Sequence, residues 1–233
     1  CLPHAGGSAA LCQDWFRESL PGVQVVGLDP PGRGARFGER PLTRAREIVS
    51  DLAQRLLAEA TEPFALFGHS VGAMIAYELT LALQRRGLAP AALFVSAHRA
   101  PHLAFDTEPL HALPDQEFLE RLECLGGIPA AVLADPELLA LLLPVVRADL
   151  IAWETYRYVP SGPVMCRIVA VGGSADQLVR PDDLAEWRHH TTGPFRCRLF
   201  PSGHFYMNEC RRGLAALIAD ELEEHTYRER YAT

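Results

Sequence analysis

Five short apolar runs rich in Val, Ile, Leu and Phe punctuate the chain. They are VQVVGLD (23–29), FALFGHS (64–70), AALFVSA (91–97), CRIVAVGG (166–173) and FRCRLFP (195–201). Hydrophobicity in the runs is mostly continuous rather than alternating, which is the pattern of a strand covered on both faces. Helical periodicity fills most of the intervals, over about 43–60, 71–86, 181–190 and 206–224. Alternation of strands with helices predicts parallel strands joined by crossovers, hence an α/β fold with a mostly parallel central sheet flanked by helices.

The rhythm breaks between residues 101 and 160, where only helical patterns occur. LPDQEFLERLECLGG reads as a helix with Asp115 as its N-cap and a stop at Gly126-Gly127. DPELLALLLPVVRADLIAWETY reads as a second, capped by Asp135 with Pro136 in its first turn, and Pro144 is expected to kink or break it. The expected organisation is one domain over 1–233 with residues 101–160 inserted as a helical lid. Simple packing of that segment on the body is the plainer alternative.

Composition narrows the classes. A chain of 233 residues can bury a substantial single core, and 48% hydrophobic with 22% charged residues is ordinary for a globular protein. No apolar run approaches the roughly 20 residues that span a bilayer, so no membrane partner is expected. CLPHAGGS, at the start, lacks the basic stretch of a signal peptide. The six cysteines are scattered without metal-site spacing, so they read as reduced thiols and the expected location is cytoplasmic. A net charge of −7 argues against nucleic acid as a partner.

Candidate chemistry begins at FGHSVGAM (67–74), a serine between two glycines after one strand and before one helix. A strained strand–helix turn that exposes a nucleophile needs small neighbours at both flanking positions, and Gly68 and Gly72 supply them. Serine alone is a weak nucleophile; it needs a histidine base oriented by a carboxylate. Downstream, GGSADQLV ends a strand in a turn with Asp176, and FPSGHFYMNE ends the last strand in a turn with His204. Both turns fall where strand C-termini gather, the face on which α/β proteins bind ligands. Ser70, Asp176 and His204 are therefore the expected triad. Two amides should hold the oxyanion, one from Val71 after the nucleophile and one from the glycine-rich loop near the start, Ala5 first and Gly6 next. The chemistry requires no metal or dissociable cofactor.

Taken together, LPHAGGSA, PPGRGARFGE, FGHSVGAMIAYEL, SAHRAP, GGSADQLV and FPSGHFYMNE, in that order, resemble the type II thioesterases of polyketide and nonribosomal peptide synthases. The resemblance runs from residue 2 to about residue 218 and implies an α/β-hydrolase fold with a helical lid. It also implies hydrolysis of acyl thioesters from the phosphopantetheine arm of an acyl or peptidyl carrier protein, with Ser70, Asp176 and His204 as the triad and Val71 and Ala5 as the oxyanion amides. Two positions depart from the family pattern. Asp29-Pro30-Pro31-Gly32 replaces an aromatic residue with a single proline before the glycine, and Val71 replaces a common methionine.

An acyl chain needs an apolar pocket, for which Phe105, Leu119, Leu142 and Trp153 are candidates; lid-to-body packing is their alternative role. An acidic carrier needs a basic patch on this acidic protein. Arg33, Arg36, Arg40, Arg44 and Arg46 fall close together with Glu39 as the only acid among them. A solvated loop and helix start explains them equally well. A general carboxylesterase or lipase on the same fold, or a non-catalytic carrier-binding module, are the competing functions.

Overall fold

Four of the five apolar runs form strands. In the computed structural model, which describes residues 1–16, 20–60, 63–104 and 108–231, β1 (Leu66–His69), β2 (Ala92–Ser96), β3 (Arg167–Gly173) and β4 (Phe195–Phe200) make one sheet in that order. Every pairing is parallel. Side chains alternate across such a sheet. Leu93, Val95, Ile168 and Ala170 meet Ile48 and Leu52 of α2 (Ala45–Glu59) and Met74 and Leu83 of α3 (Val71–Gln84). Phe94, Val169 and Val171 turn the other way, towards Trp15 and Phe16 of α1 (Ala9–Phe16) and Leu214 and Ile218 of α8 (Met207–Tyr231). Both faces of β1, β2 and β3 are covered, which is why these strands read as unbroken apolar runs, whereas β4 exposes Arg196, Cys197 and Arg198.

VQVVGLD is the exception: residues 23–29 form no strand. The Leu28 N–H reaches Cys1 O (2.9 Å) and the Cys1 amino group reaches Val26 O. No ladder forms over the segment, and Val23 and Val26 are left exposed. Leu2 in turn makes an isolated parallel bridge to Gly68 of β1. A helix absent from the sequence reading, α1, begins here, and its first N–H at Ala9 is capped by Asp29 Oδ1 at 2.6 Å.

Between β2 and β3 the described residues hold no strand. They hold α4 (Asp115–Cys124), α5 (Ala130–Leu133) and α6 (Pro136–Glu154). Asp135 caps α6 through the amides of Glu137 and Leu138. Asp115 is not a cap: it is the first residue of α4, and its carboxylate binds Arg147 of α6 at 2.6 Å. Nor does Pro144 break α6. It stands on the exposed side, where the carbonyl left without its N–H partner faces water. The expected helix over 181–190 is α7 (Pro181–Ala185) followed by a 3-10 turn, and α8 carries a non-helical residue at Cys210.

The turn from β1 to α3 is tight. Ser70 has φ 55° and ψ −123°, outside the regions that side chains favour. A methyl at Gly68 would stand 2.2 Å from Gly72 O, and one at Gly72 would stand 2.4 Å from both Leu2 O and Pro3 O. Backbone touches backbone at each place, so nothing can yield. We expect Gly72→Ala to cost about 3 kcal/mol or more; thermal denaturation checks this, and an unchanged Tm would contradict it.

Candidate active site

Two turns at the C-terminal edge of the sheet are stitched together before their side chains act. The Ser174 N–H donates to Phe200 O (2.8 Å) and the Ala175 N–H to Ser202 O (3.0 Å). A methyl at Gly173 would stand 2.2 Å from the oxygens of Ser202 and Gly203, so only glycine lets the turn after β3 lie against the turn after β4. Asp176 sits on the first turn and His204 on the second.

Asp176 is held from two sides. Its Oδ1 accepts from the amides of Leu178 (2.8 Å) and Val179 (3.3 Å), and its Oδ2 accepts from His204 Nδ1 at 2.8 Å. Its side chain is 1% exposed, against 11% for His204. Because a carboxylate only accepts, Nδ1 carries the hydrogen and Nε2 keeps its lone pair. That lone pair faces Ser70 Oγ at 3.1 Å. The three residues are far apart in the chain and lie in one hydrogen-bonded line.

The imidazoles around this line are neutral. Burial lowers His4 to about 4 and holds His69 well below its usual value, so both stay uncharged beside His204. The ring of His69 lies 5.3 Å from that of His204, and its Nδ1 joins a buried chain to Ser96 Oγ (2.8 Å) and onward to the Tyr206 hydroxyl (2.7 Å). Phe205 fills the space between His4 and His204, with ring centroids 5.0 and 5.1 Å away.

Val71 is the first residue of α3, and first-turn amides have no partner within their helix. On the facing loop His4 O accepts from the Gly7 N–H (2.9 Å), and the Gly6 N–H is taken by Asp149 Oδ2 at 2.8 Å. Of the two loop amides named from the sequence, Gly6 is thus committed elsewhere, while the Ala5 N–H has no hydrogen-bond partner among the described residues.

The pocket candidates divide. Leu142 and Val146 press on the loop: a methyl at Gly6 would come within 3.2 Å and 2.5 Å of their side chains. Trp153 is partly buried and its indole N–H donates to His98 Nε2 at 2.8 Å. Leu119 packs, partly buried, against the core. Phe105 lies outside the described residues. The other histidines take different partners: His98 Nδ1 bonds Arg99 O, and His102 bonds His190.

The arginine cluster needs correcting. Arg33 is buried, with both terminal nitrogens on the Asp149 carboxylate at 2.5 and 2.6 Å, so it offers nothing to a partner. Arg36 is largely spent on Glu39 and Asp51, at 2.7 and 2.5 Å. Arg40, Arg44 and Arg46 remain exposed. Asp149 was missed in the sequence, although a lone acid between apolar residues in PVVRADLIAW is itself a signal that a buried partner exists.

Comparison with known proteins follows the same lines. The profile of the thioesterase domain matches residues 1–223. The chain belongs to the thioesterase family. It is 42% identical to the thioesterase PikA5 of Streptomyces venezuelae over 95% of this chain and 79% of that protein. With the gramicidin S biosynthesis protein GrsT of Aneurinibacillus migulanus it shares 34% identity over 95% of this chain and 87% of that one. Among solved structures, it is similar to the type II thioesterase BorB from the borrelidin biosynthetic cluster (TM-score 0.88, 39% identity, 95% of this chain and 91% of that one). ClbQ from the colibactin NRPS/PKS pathway superposes with a TM-score of 0.92 at 34% identity, covering 97% of both chains. The architecture is that of α/β-hydrolase-type thioesterases.

Neutral buried histidines have a consequence for acid stability. Burial also lowers His98 to about 4. In the unfolded chain these groups titrate near 6.5, so below that pH the unfolded state binds protons that the folded state refuses. Stability should therefore be complete above the unfolded value and drain away as the pH falls towards 4. We expect Tm to decline steadily over that window and His98→Gln, which keeps an acceptor for Trp153, to shallow the decline. A flat Tm across it would contradict the reading.

Proposed function

We propose that this thioesterase hydrolyses acyl groups from the phosphopantetheine arm of acyl or peptidyl carrier proteins in polyketide or nonribosomal peptide assembly. The reading rests above all on the unbroken line from Asp176 through His204 to Ser70. Ser70 Oγ attacks the thioester carbonyl carbon while His204 Nε2 takes its proton. Asp176 holds the ring and stabilises the imidazolium without taking the proton itself. The Val71 and Ala5 amides receive the developing oxyanion. Collapse of the tetrahedral species expels the pantetheine thiol, which leaves with the proton from His204. A water then gives a proton to the same Nε2 and attacks the acyl-serine, releasing a carboxylic acid and restoring the hydroxyl.

The proposed role is clearance of stalled or aberrant chains from carriers, in the cytoplasm, where its free thiols stay reduced. The helices of the 101–160 segment act in this reading as a lid, with Leu142 and Trp153 bordering the acyl chain. Arg40, Arg44 and Arg46 form the patch for an acidic carrier, reduced by the loss of Arg33 and Arg36 from it. Exposed charges of this kind steer encounter more than they hold the complex.

A panel of acyl-loaded carrier proteins, followed by intact mass, tests the activity. Loss of the acyl mass with regeneration of the free arm is expected, and faster turnover of a matched oxygen ester than of the thioester would favour a general esterase instead. Ser70→Ala should lower kcat by about 10⁴-fold or more with Tm unchanged; full activity in that variant rejects the nucleophile. Reversing Arg40 and Arg46 to glutamate should raise KM for acyl-carrier several-fold and leave KM for an acyl-pantetheine mimic unaltered. Equal effects on both substrates would remove the docking role.

A further inference from the structure

His4 to Gly7 is a four-residue turn closed by the Gly7 N–H on His4 O. Its third residue, Gly6, has φ +75°, the sign a type II turn demands at that position. Glycine is equally at ease with the opposite sign, so the central peptide between Ala5 and Gly6 has two orientations open to it. Something beyond the turn's own backbone must choose between them. Two side chains do. The Ala5 carbonyl accepts from His4 Nδ1 at 2.9 Å, and the Gly6 N–H donates to Asp149 Oδ2 at 2.8 Å. A flipped peptide would turn a carbonyl oxygen towards the Asp149 carboxylate, where two acceptors repel.

Asp149 is itself oriented. Arg33 grips it with both terminal nitrogens, and Arg33 Nη1 also reaches Gly7 O at 3.4 Å. Both residues are buried, at 6% exposure for Arg33 and 4% for Asp149, and Arg33 Nε has no partner among the described residues. A buried pair with an unsatisfied donor is a poor way to stabilise a fold, since apolar side chains of similar volume do as well or better. Its geometry shows another use. Leu142, Val146 and Asp149 fall on one face of α6, with the first two packed on Gly6 and the third bonded to it.

We propose that Asp149 and Arg33 are positioning residues: by holding the Gly6 N–H they anchor the 4–7 turn against α6 and so fix the place of the adjoining Ala5 residue, whose own amide is the donor proposed for the oxyanion. The inference rests on the serine mechanism proposed above. It assigns to α6 the task of preorganising a donor on the opposite side of the site, and it explains why the loop amide nearest to Asp149 is not itself an oxyanion donor.

Two double variants separate positioning from stability. Arg33→Met with Asp149→Leu replaces the pair by apolar side chains, and Arg33→Met with Asp149→Asn keeps a neutral acceptor for Gly6. Both are measured for kcat and KM on an acyl-pantetheine thioester, for Tm, and for amide hydrogen exchange in the peptide covering residues 4–7. With leucine, kcat should fall about a hundredfold, the scale of one lost oxyanion donor, with KM little changed, Tm retained and exchange in the turn faster. Asparagine should recover most of both rate and protection. Equal kcat and equal exchange in the two variants would overturn the proposal. A wild type inert towards thioesters would refute the proposed function instead, and the exchange comparison would still decide whether Asp149 holds the turn.

Discussion

Both nitrogens of one imidazole must be committed at once. His204 is useful as a base only if Nδ1 carries its hydrogen to Asp176, for only then does Nε2 keep a lone pair for Ser70. Nothing local in the chain provides this, since the acid, the base and the alcohol come from turns after three different strands. The parallel sheet supplies the common edge, and the four-strand order in which each new strand joins beside the last brings β3 and β4 together. The turn of Asp176 can then be bonded to the turn of His204.

Close backbone approach is what makes that edge sharp enough. Gly68 lies on Gly72, Gly72 on the carbonyls of Leu2 and Pro3, and Gly173 on those of Ser202 and Gly203. At each place a single methyl would separate elements whose contact sets the site. The strained φ of Ser70 is maintained by the same packing, which aims its hydroxyl outwards from the top of β1. Around the site, neutral His4 and His69 add bulk without adding positive charge.

Legibility in the sequence followed the range of the interactions. Strands β1 to β3 and helices α2 and α3 announce themselves because their burial is a property of contiguous residues. Ser70, Asp176 and His204 could be named because each follows an apolar run within a few positions, and turns after parallel strands share one edge. Helix α1 was not readable, because the carboxylate that caps Ala9 belongs to Asp29, beyond the next loop. Residues 23–29 look like any other strand, yet pairing is not a property of the run by itself, and here no ladder forms and Val23 and Val26 stay exposed. Arg33 read as surface because arginine usually is. Its burial depends on Asp149, 116 residues away, which no local pattern could join to it.

Asp29 packs against Gly34 and caps α1, so its carboxylate ties the arginine-bearing loop to the first helix. The central claim is that Ser70 becomes acylated. Mixing enzyme with a stoichiometric acyl-pantetheine thioester, quenching within milliseconds and mapping the added mass by peptide is its most direct measurement. The account expects about one equivalent of thiol released in a burst, with the acyl mass on the peptide containing Ser70. Thiol release with no covalent adduct, or with the adduct on another residue, would contradict it.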